Sequence, residues 1–415
     1  MADWKTLASA HASKKLISIP SDWILNAAKL REISGDLSAT DILENIHDKK
    51  VSAEEVTIAF CKRAALAQPL RGYRESKVDS QNNIFGRTLN PHNTSLTAGG
   101  SSGGEGALVS FRGSPLGVGN DLAGSVRIPA LCCGVYGFKP TANRIPFAGQ
   151  THYPFPVSWL SSAMPVVGPL ANSLDDLHLF METVSRCVLW KYDATALNIP
   201  WRSLDSRPDR KLTIGVIAED PDYPLHPPVR PGRSPGLGAR IGYQFFGLSA
   251  SGTKDLSKEL GEPLITSVAS QMHPFSRGGL PVSPELGIAE QFHALNIARG
   301  VYAEAWKQIW LENQLDVVLA PSTVSMAVPH DTYGVPVYTM MWSVLDYPAA
   351  VIPFGKVCRN KDPEPEVVTA PFVPDYTPES NDGVPCSLQI VTPTLQDEEC
   401  LNAASIIQRC LNRGK

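Results

Sequence analysis

Long apolar runs are missing from this 415-residue chain: those present, such as Val317 to Pro321 and Tyr347 to Phe354, fall far short of a bilayer crossing, which takes ~20 residues. An excess of basic residues is missing too. The 37 Lys and Arg stand against 41 Asp and Glu, a net charge of -4 with no basic stripe, which argues against nucleic acid as the main partner. The N-terminus, Met1-Ala2-Asp3-Trp4-Lys5, lacks a basic start followed by an apolar segment, so a cytoplasmic location is expected rather than secretion. The eight cysteines include no C-x-x-C pair and no His at ligand spacing, which removes structural zinc as a leading idea. They read as small hydrophobes instead of a disulfide framework. What is there, 43% hydrophobic and 19% charged residues, describes a globular protein with enough chain for a large core, in one big α/β domain or two ordinary ones.

Along the chain, Ser38 to Gln68 reads as two helices, the second opening on Ser52 and Glu55 as a capping box. Gln68 to Asn90 is polar and loop-like. Pro115 to Gly119 reads as a short strand, Ser173 to Ser185 as a capped helix, and Lys211 to Ala218 as a strand alternating Leu212, Ile214 and Val216. Six prolines and three glycines crowd residues 220 to 240, which predicts irregular chain. Strands are expected again at Leu315 to Pro321, Ala349 to Phe354 and Ser387 to Val391, and a last helix at Leu395 to Leu411. Strands interleaved with helices indicate an α/β fold with helices on both faces of the sheet.

The segment from Gly99 to Pro140 carries the chemistry. Ser101 and Ser125 sit in separate glycine-containing turns, where backbone N–H groups can approach a ligand as an oxyanion site requires. A Gly/Ser-rich stretch is also an ordinary linker composition, so spacing alone leaves both readings open. Gly99-Gly100-Ser101-Ser102-Gly103 fits the G-x-S-x-G elbow of α/β-hydrolases as well, with His330 and Asp331 as the tempting partners. That match is weak: the preceding Asn93 to Ala98 has one large apolar residue, and adjacent side chains in extended backbone point apart. No Gly-Lys-Ser/Thr follows the glycines, so a phosphate-binding loop fits no better.

The strings Gly99-Gly100-Ser101-Ser102-Gly103-Gly104-Glu105-Gly106-Ala107, Gly119-Asn120-Asp121-Leu122-Ala123-Gly124-Ser125-Val126-Arg127-Ile128-Pro129 and Gly137-Phe138-Lys139-Pro140-Thr141 resemble the amidase signature family. Asn82 to Pro91, Val328 to Asp331 and Val344 to Ala350 are similar to its fungal acetamidase-like branch. The resemblance implies a mixed central sheet flanked by helices on both faces. It divides the chain into an N-terminal helical region, 1–70, and an amidase signature α/β domain, 71–415, irregular over 220–245. The implied activity is hydrolysis of small carboxylic amides to carboxylate and ammonia through an acyl-serine, with no metal or organic cofactor. Ser125 would be the nucleophile, and Ser101, on a cis peptide after Gly100, would relay its proton. The N–H groups of Leu122, Ala123, Gly124 and Ser125 would form the oxyanion hole, with Asp121 and Arg127 bracing the loop. The implied partner is a small amide, with neither nucleic acid nor membrane, and a homodimer is compatible with it.

Two departures qualify that expectation. The family's catalytic lysine, in a Val/Leu-Lys-Asp context, has no match: the helix ending near Gln68 runs almost at once into Asn82-Asn83-Ile84-Phe85-Gly86-Arg87. The nearest lysine, Lys77, lies among Glu75, Ser76, Asp79 and Ser80, a poor setting for a desolvated base. A second compression falls near residues 228 to 243. The fold is therefore expected to be incomplete, and a catalytically impaired remnant or binding scaffold stands beside the amidase reading. An esterase using Ser101 stands third.

Overall fold

The computed structural model describes residues 37–66, 79–82, 86–148, 164–204, 211–217, 236–250, 281–368 and 373–413. Lys77 and residues 1–36 lie outside them. Among the described residues the framework is a mixed seven-stranded sheet in the order β3-β5-β4-β8-β9-β7-β6, formed by β3 (Leu116–Asp121), β4 (Tyr136–Lys139), β5 (Val166–Ala171), β6 (Ile214–Val216), β7 (Val317–Pro321), β8 (Ala349–Lys356) and β9 (Pro385–Val391). Neighbours run antiparallel except β6 and β7, which are parallel. A separate two-residue ladder joins β1 (Gln81–Asn82) to β2 (Gly86–Arg87).

The inner strands are apolar throughout because both faces are covered, and consecutive residues serve opposite layers. In β7, Val317 packs on one side and Val318 on the other; in β9, Ile390 and Val391 divide in the same way. One layer holds α5 (Leu174–Ser185) and α9 (Asp397–Arg413), whose Leu177, Met181, Leu401 and Ala404 bury against Phe138, Ile352 and Ile390. The Ser173 hydroxyl caps α5 by accepting from Asp176 N–H, as its position in sequence leads one to expect. The other layer holds α3 (Gly103–Ser110), α4 (Arg127–Cys133), α6 (Gly236–Ala250), α7 (Ile288–Glu312) and α8 (Val337–Leu345). The N-terminal helices α1 (Ala39–His47) and α2 (Ala53–Leu66) match the sequence reading. The Ser52–Glu55 capping box is present, and Thr40 N–H ties α1 to Asp176 of α5 at 3.0 Å.

The expectation of irregular chain over 220–245 fails in its second half, where α6 begins at Gly236. Glycines that read as loop signals serve close helix packing instead. A Cβ at Gly238 would lie 2.9 Å from Met341 Cβ, and one at Gly242 would lie 2.5 Å from Met340 Sδ, so α6 rests on α8 through its glycines. Around that contact, Trp342 is fully buried, stacks on Tyr347 and meets Trp306 of α7 edge-on at 5.0 Å. Of the eight free cysteines, Cys132, Cys133, Cys386 and Cys400 are buried as small hydrophobes, whereas Cys61, Cys187 and Cys410 are exposed. Among the described residues, no helix is long and apolar enough to cross a membrane.

Candidate active site

Two turns meet where β3 ends. The first follows Ala98, buried in the core, and turns at Gly99, whose φ is +76°. A Cβ at Gly99 would stand 3.0 Å from Pro129 N, so the glycine is what lets this turn lie on α4. The Gly100–Ser101 peptide is cis, and α3 starts at Gly103. The second turn leaves β3 at Asp121, passes Leu122, Ala123 and Gly124, and enters α4 just after Ser125. Ser102 N–H donates to the Ser125 carbonyl at 3.1 Å and joins the turns. The 24 residues separating Ser101 from Ser125 are thus folded back through α3 and β3.

Asp121 organises the second turn. Its carboxylate accepts from Gly124 N–H at 2.8 Å, from Val126 N–H at 3.2 Å and from two guanidinium nitrogens of Arg127 at 2.8 and 2.9 Å. Both side chains are fully buried. Burial pushes the Asp121 carboxyl up, but the Arg127 charge and the N–H donors outweigh it and hold it below the usual carboxylate range. Arg127 in turn donates to Thr339 O, Gln389 Oε1 and Ser343 Oγ, so the loop is anchored to α8 and β9. The Thr339 hydroxyl donates to Ala123 O and sits where a Gly124 Cβ would be, 2.4 Å away, and Gly124 has φ +126°.

These bonds revise the expected donor set. The Gly124 N–H is taken by Asp121, so it is not available to a developing oxyanion in this geometry. The N–H groups of Leu122, Ala123 and Ser125 have no acceptor among the described residues. The hydroxyls of Ser101 and Ser125, both half-buried, likewise have no partner there, including each other.

The lysine question has a partial answer. Lys139 is the fully buried lysine among the described residues, and its ammonium donates to Pro140 O at 3.0 Å and Tyr347 O at 3.1 Å, with Asp346 at 3.7 Å. Burial lowers its pKa, against the pull of Asp346, and its hydrogen bonds go to those two carbonyls, with none to either serine. The rival triad does not assemble. His330 faces Thr94 O at 3.2 Å with Nε2 and Asp79 at 3.8 Å with Nδ1, while Asp331 pairs with Arg87 at 2.7 Å. Neither ring nitrogen bonds to Ser101 or to Asp331.

Sequence reasoning missed Asp79 and Ser80. The Asp79 carboxylate accepts from the Thr97 hydroxyl at 2.9 Å and from Asp331 N–H at 3.2 Å, and Ser80 bonds directly to the Ser101 turn. Polar neighbours made the stretch look like loop, and its partners lie 18 to 252 residues away.

The Amidase family model matches residues 76–232 and 288–401. An amidase of Gibberella moniliformis is 35% identical over 353 residues, 79% of this chain and 63% of its own, so the chain spans less than two thirds of that relative's length. An acetamidase of Emericella nidulans is 25% identical over 546 residues, covering 98% of both chains. A solved fatty acid amide hydrolase shares the fold with a TM-score of 0.79 and 21% identity, over 99% of this chain and 95% of that one. The family match spans more than half of the chain and contains both serine turns, and the chain is a member of the Amidase family.

Proposed function

We propose that this site hydrolyses small carboxylic amides, with Ser125 as nucleophile and Ser101 as the hydroxyl that passes its proton on. The Ser125 Oγ attacks the carbonyl carbon, and the oxygen takes up negative charge facing the N–H groups of Leu122, Ala123 and Ser125. The C–N bond breaks as the nitrogen receives the proton through Ser101, ammonia leaves, and water releases the carboxylate from the acyl-serine. One observation carries the reading: the Ser102 N–H to Ser125 O bond sets two serine hydroxyls in adjoining turns, next to three N–H groups, all of them without a hydrogen-bond partner among the described residues. Relatives printed as amidase and acetamidase support the amide class.

A second reading, a remnant or scaffold with little turnover, has its own support. No described lysine bonds to either serine, and the 546-position match to the Emericella nidulans acetamidase is far longer than this 415-residue chain, so that relative has a large stretch without counterpart here. A serine hydroxyl without a base keeps only what the N–H donors and binding supply. The test treats the purified chain with a serine-directed phosphonate, followed by peptide mass spectrometry and acetamide turnover. Covalent labelling at Ser125, lost in Ser125→Ala, is expected. Turnover that is feeble alone and rises with added methylamine would assign the deficit to a missing base. Labelling at Ser101, or at neither serine, would refute the proposal.

A further inference from the structure

Asp79 and Ser80 sit outside both glycine turns, yet they hold the first one in place. The Ser80 hydroxyl, 1% exposed, shares its single proton between Gly99 O at 3.1 Å and Ser101 O at 3.2 Å, and accepts from Gly103 N–H at 3.2 Å. It therefore straddles the Gly100–Ser101 peptide, touching the main chain on either side. Its fit is close: a Cβ on Gly103 would lie 2.5 Å from Ser80 Oγ. Asp79 adds a second route to the same turn. Its Oδ1 accepts from Ser80 N–H at 3.1 Å and from the Thr97 hydroxyl at 2.9 Å, and Thr97 Oγ1 accepts from Gly99 N–H at 2.9 Å.

Four main-chain groups of the turn, Gly99 N–H, Gly99 O, Ser101 O and Gly103 N–H, are thereby bonded to two hydroxyls oriented by one carboxylate. The carboxylate is itself fixed. Asp331 N–H donates to its other oxygen at 3.2 Å, and His330 stands at 3.8 Å. Burial pushes the Asp79 carboxyl up, but His330, Asp331 N–H and Thr97 prevail and keep it ionised, an acceptor for every donor around it.

We propose that Ser80, oriented by Asp79, is a positioning residue that aims the Ser101 hydroxyl at Ser125. The inference rests on the proposed function for its chemical consequence and on the anchoring bonds for its structural one. A relay hydroxyl acts only within hydrogen-bond reach of its partner, so a turn released on one side loses rate before it loses fold.

The test combines labelling kinetics with amide exchange in the full chain. Ser80→Ala is expected to slow phosphonate labelling of Ser125 about tenfold, the equivalent of one hydrogen bond. In a Ser101→Ala background it should add nothing, because the hydroxyl it aims is gone. A purely structural role would slow both backgrounds alike, and that additive result overturns the proposal, as does labelling at the parental rate. Thr97→Val is the second variant, expected to act in the same direction. In both, peptides covering residues 99–104 should exchange their amide hydrogens faster than in the parent. Faster exchange with no labelling in the parent would refute the proposed function while leaving the anchoring intact. Unchanged exchange in both variants would overturn the anchoring itself.

Discussion

Replacing Arg127 by methionine separates the support of the loop from its chemistry. The guanidinium is fully buried and bonds to Asp121 twice, to Thr339 O, Gln389 Oε1 and Ser343 Oγ. Methionine keeps much of the volume and removes every donor, leaving a buried carboxylate with Gly124, Val126 and its other N–H contacts as its remaining support. Breaking a buried pair from one side costs about 3–5 kcal/mol. For a chain of this length unfolding as one unit, that corresponds to a melting temperature about 5 °C lower. The loss should depend on pH. With Arg127 in place, the Asp121 carboxyl titrates below its unfolded value, so its stabilisation is present above about pH 4 and is lost as pH falls through the folded pKa. In Arg127→Met, burial dominates and the carboxyl should titrate above its unfolded value. The variant's stability then falls as pH rises from about 4 towards that raised value, and the gap to the parent widens from acid to neutral. Urea titrations at pH 4, 5.5 and 7 measure it. A gap under about 1 kcal/mol, or one equal at all three pH values, refutes the reasoning, as does an Asp121→Asn/Arg127→Met double variant no more stable than the single one.

Other substitutions test the packing around the site. Gly124→Ala places a methyl 2.4 Å from Thr339 Oγ1 at φ +126°, and should cost about 2–4 kcal/mol in denaturant melts and abolish phosphonate labelling. Trp342→Ala, at a site with 0% exposure, should cost about 3–5 kcal/mol in urea titrations; a loss below 1 kcal/mol would contradict the packing of α7 on α8. Gly242→Leu should separate α6 from α8, with a destabilisation of about 2–4 kcal/mol, whereas a loop at that position would tolerate leucine without measurable change in melting temperature.

The inner strands of the sheet were readable in sequence because strands covered on both faces must be apolar: Leu315 to Pro321, Ala349 to Phe354 and Ser387 to Val391 each contain most of an observed strand. The last helix was legible for a different reason, the stripe it buries on β8 and β9 against a polar outer side. α8 left no such trace. All nine of its residues are buried, so no polar face marks its period. α7 escaped notice because apolar Ile297, Val301 and Ile309 lie on its exposed side and blur the stripe formed by Leu295, Trp306 and Trp310. In the site, glycines advertised the two turns, since only they reconcile the backbone path with α4 and Thr339 alongside. The assignment of Gly124 N–H to Asp121 was invisible, because it depends on how one peptide is rotated. Ser80 was invisible because its bonds to the turn bridge 19 to 23 residues with no motif between them.

Arg127 follows a strand at the border of the sheet, yet it grips Gln389 on β9, four places inward in the strand order. The Ser125 loop is thus surveyed from the interior: its coordinates are referred to β9 and α8, not to whatever flanks the border. Change in the sequence that flanks β3 therefore leaves the shape of the loop standing, because the groups that hold it are rooted elsewhere.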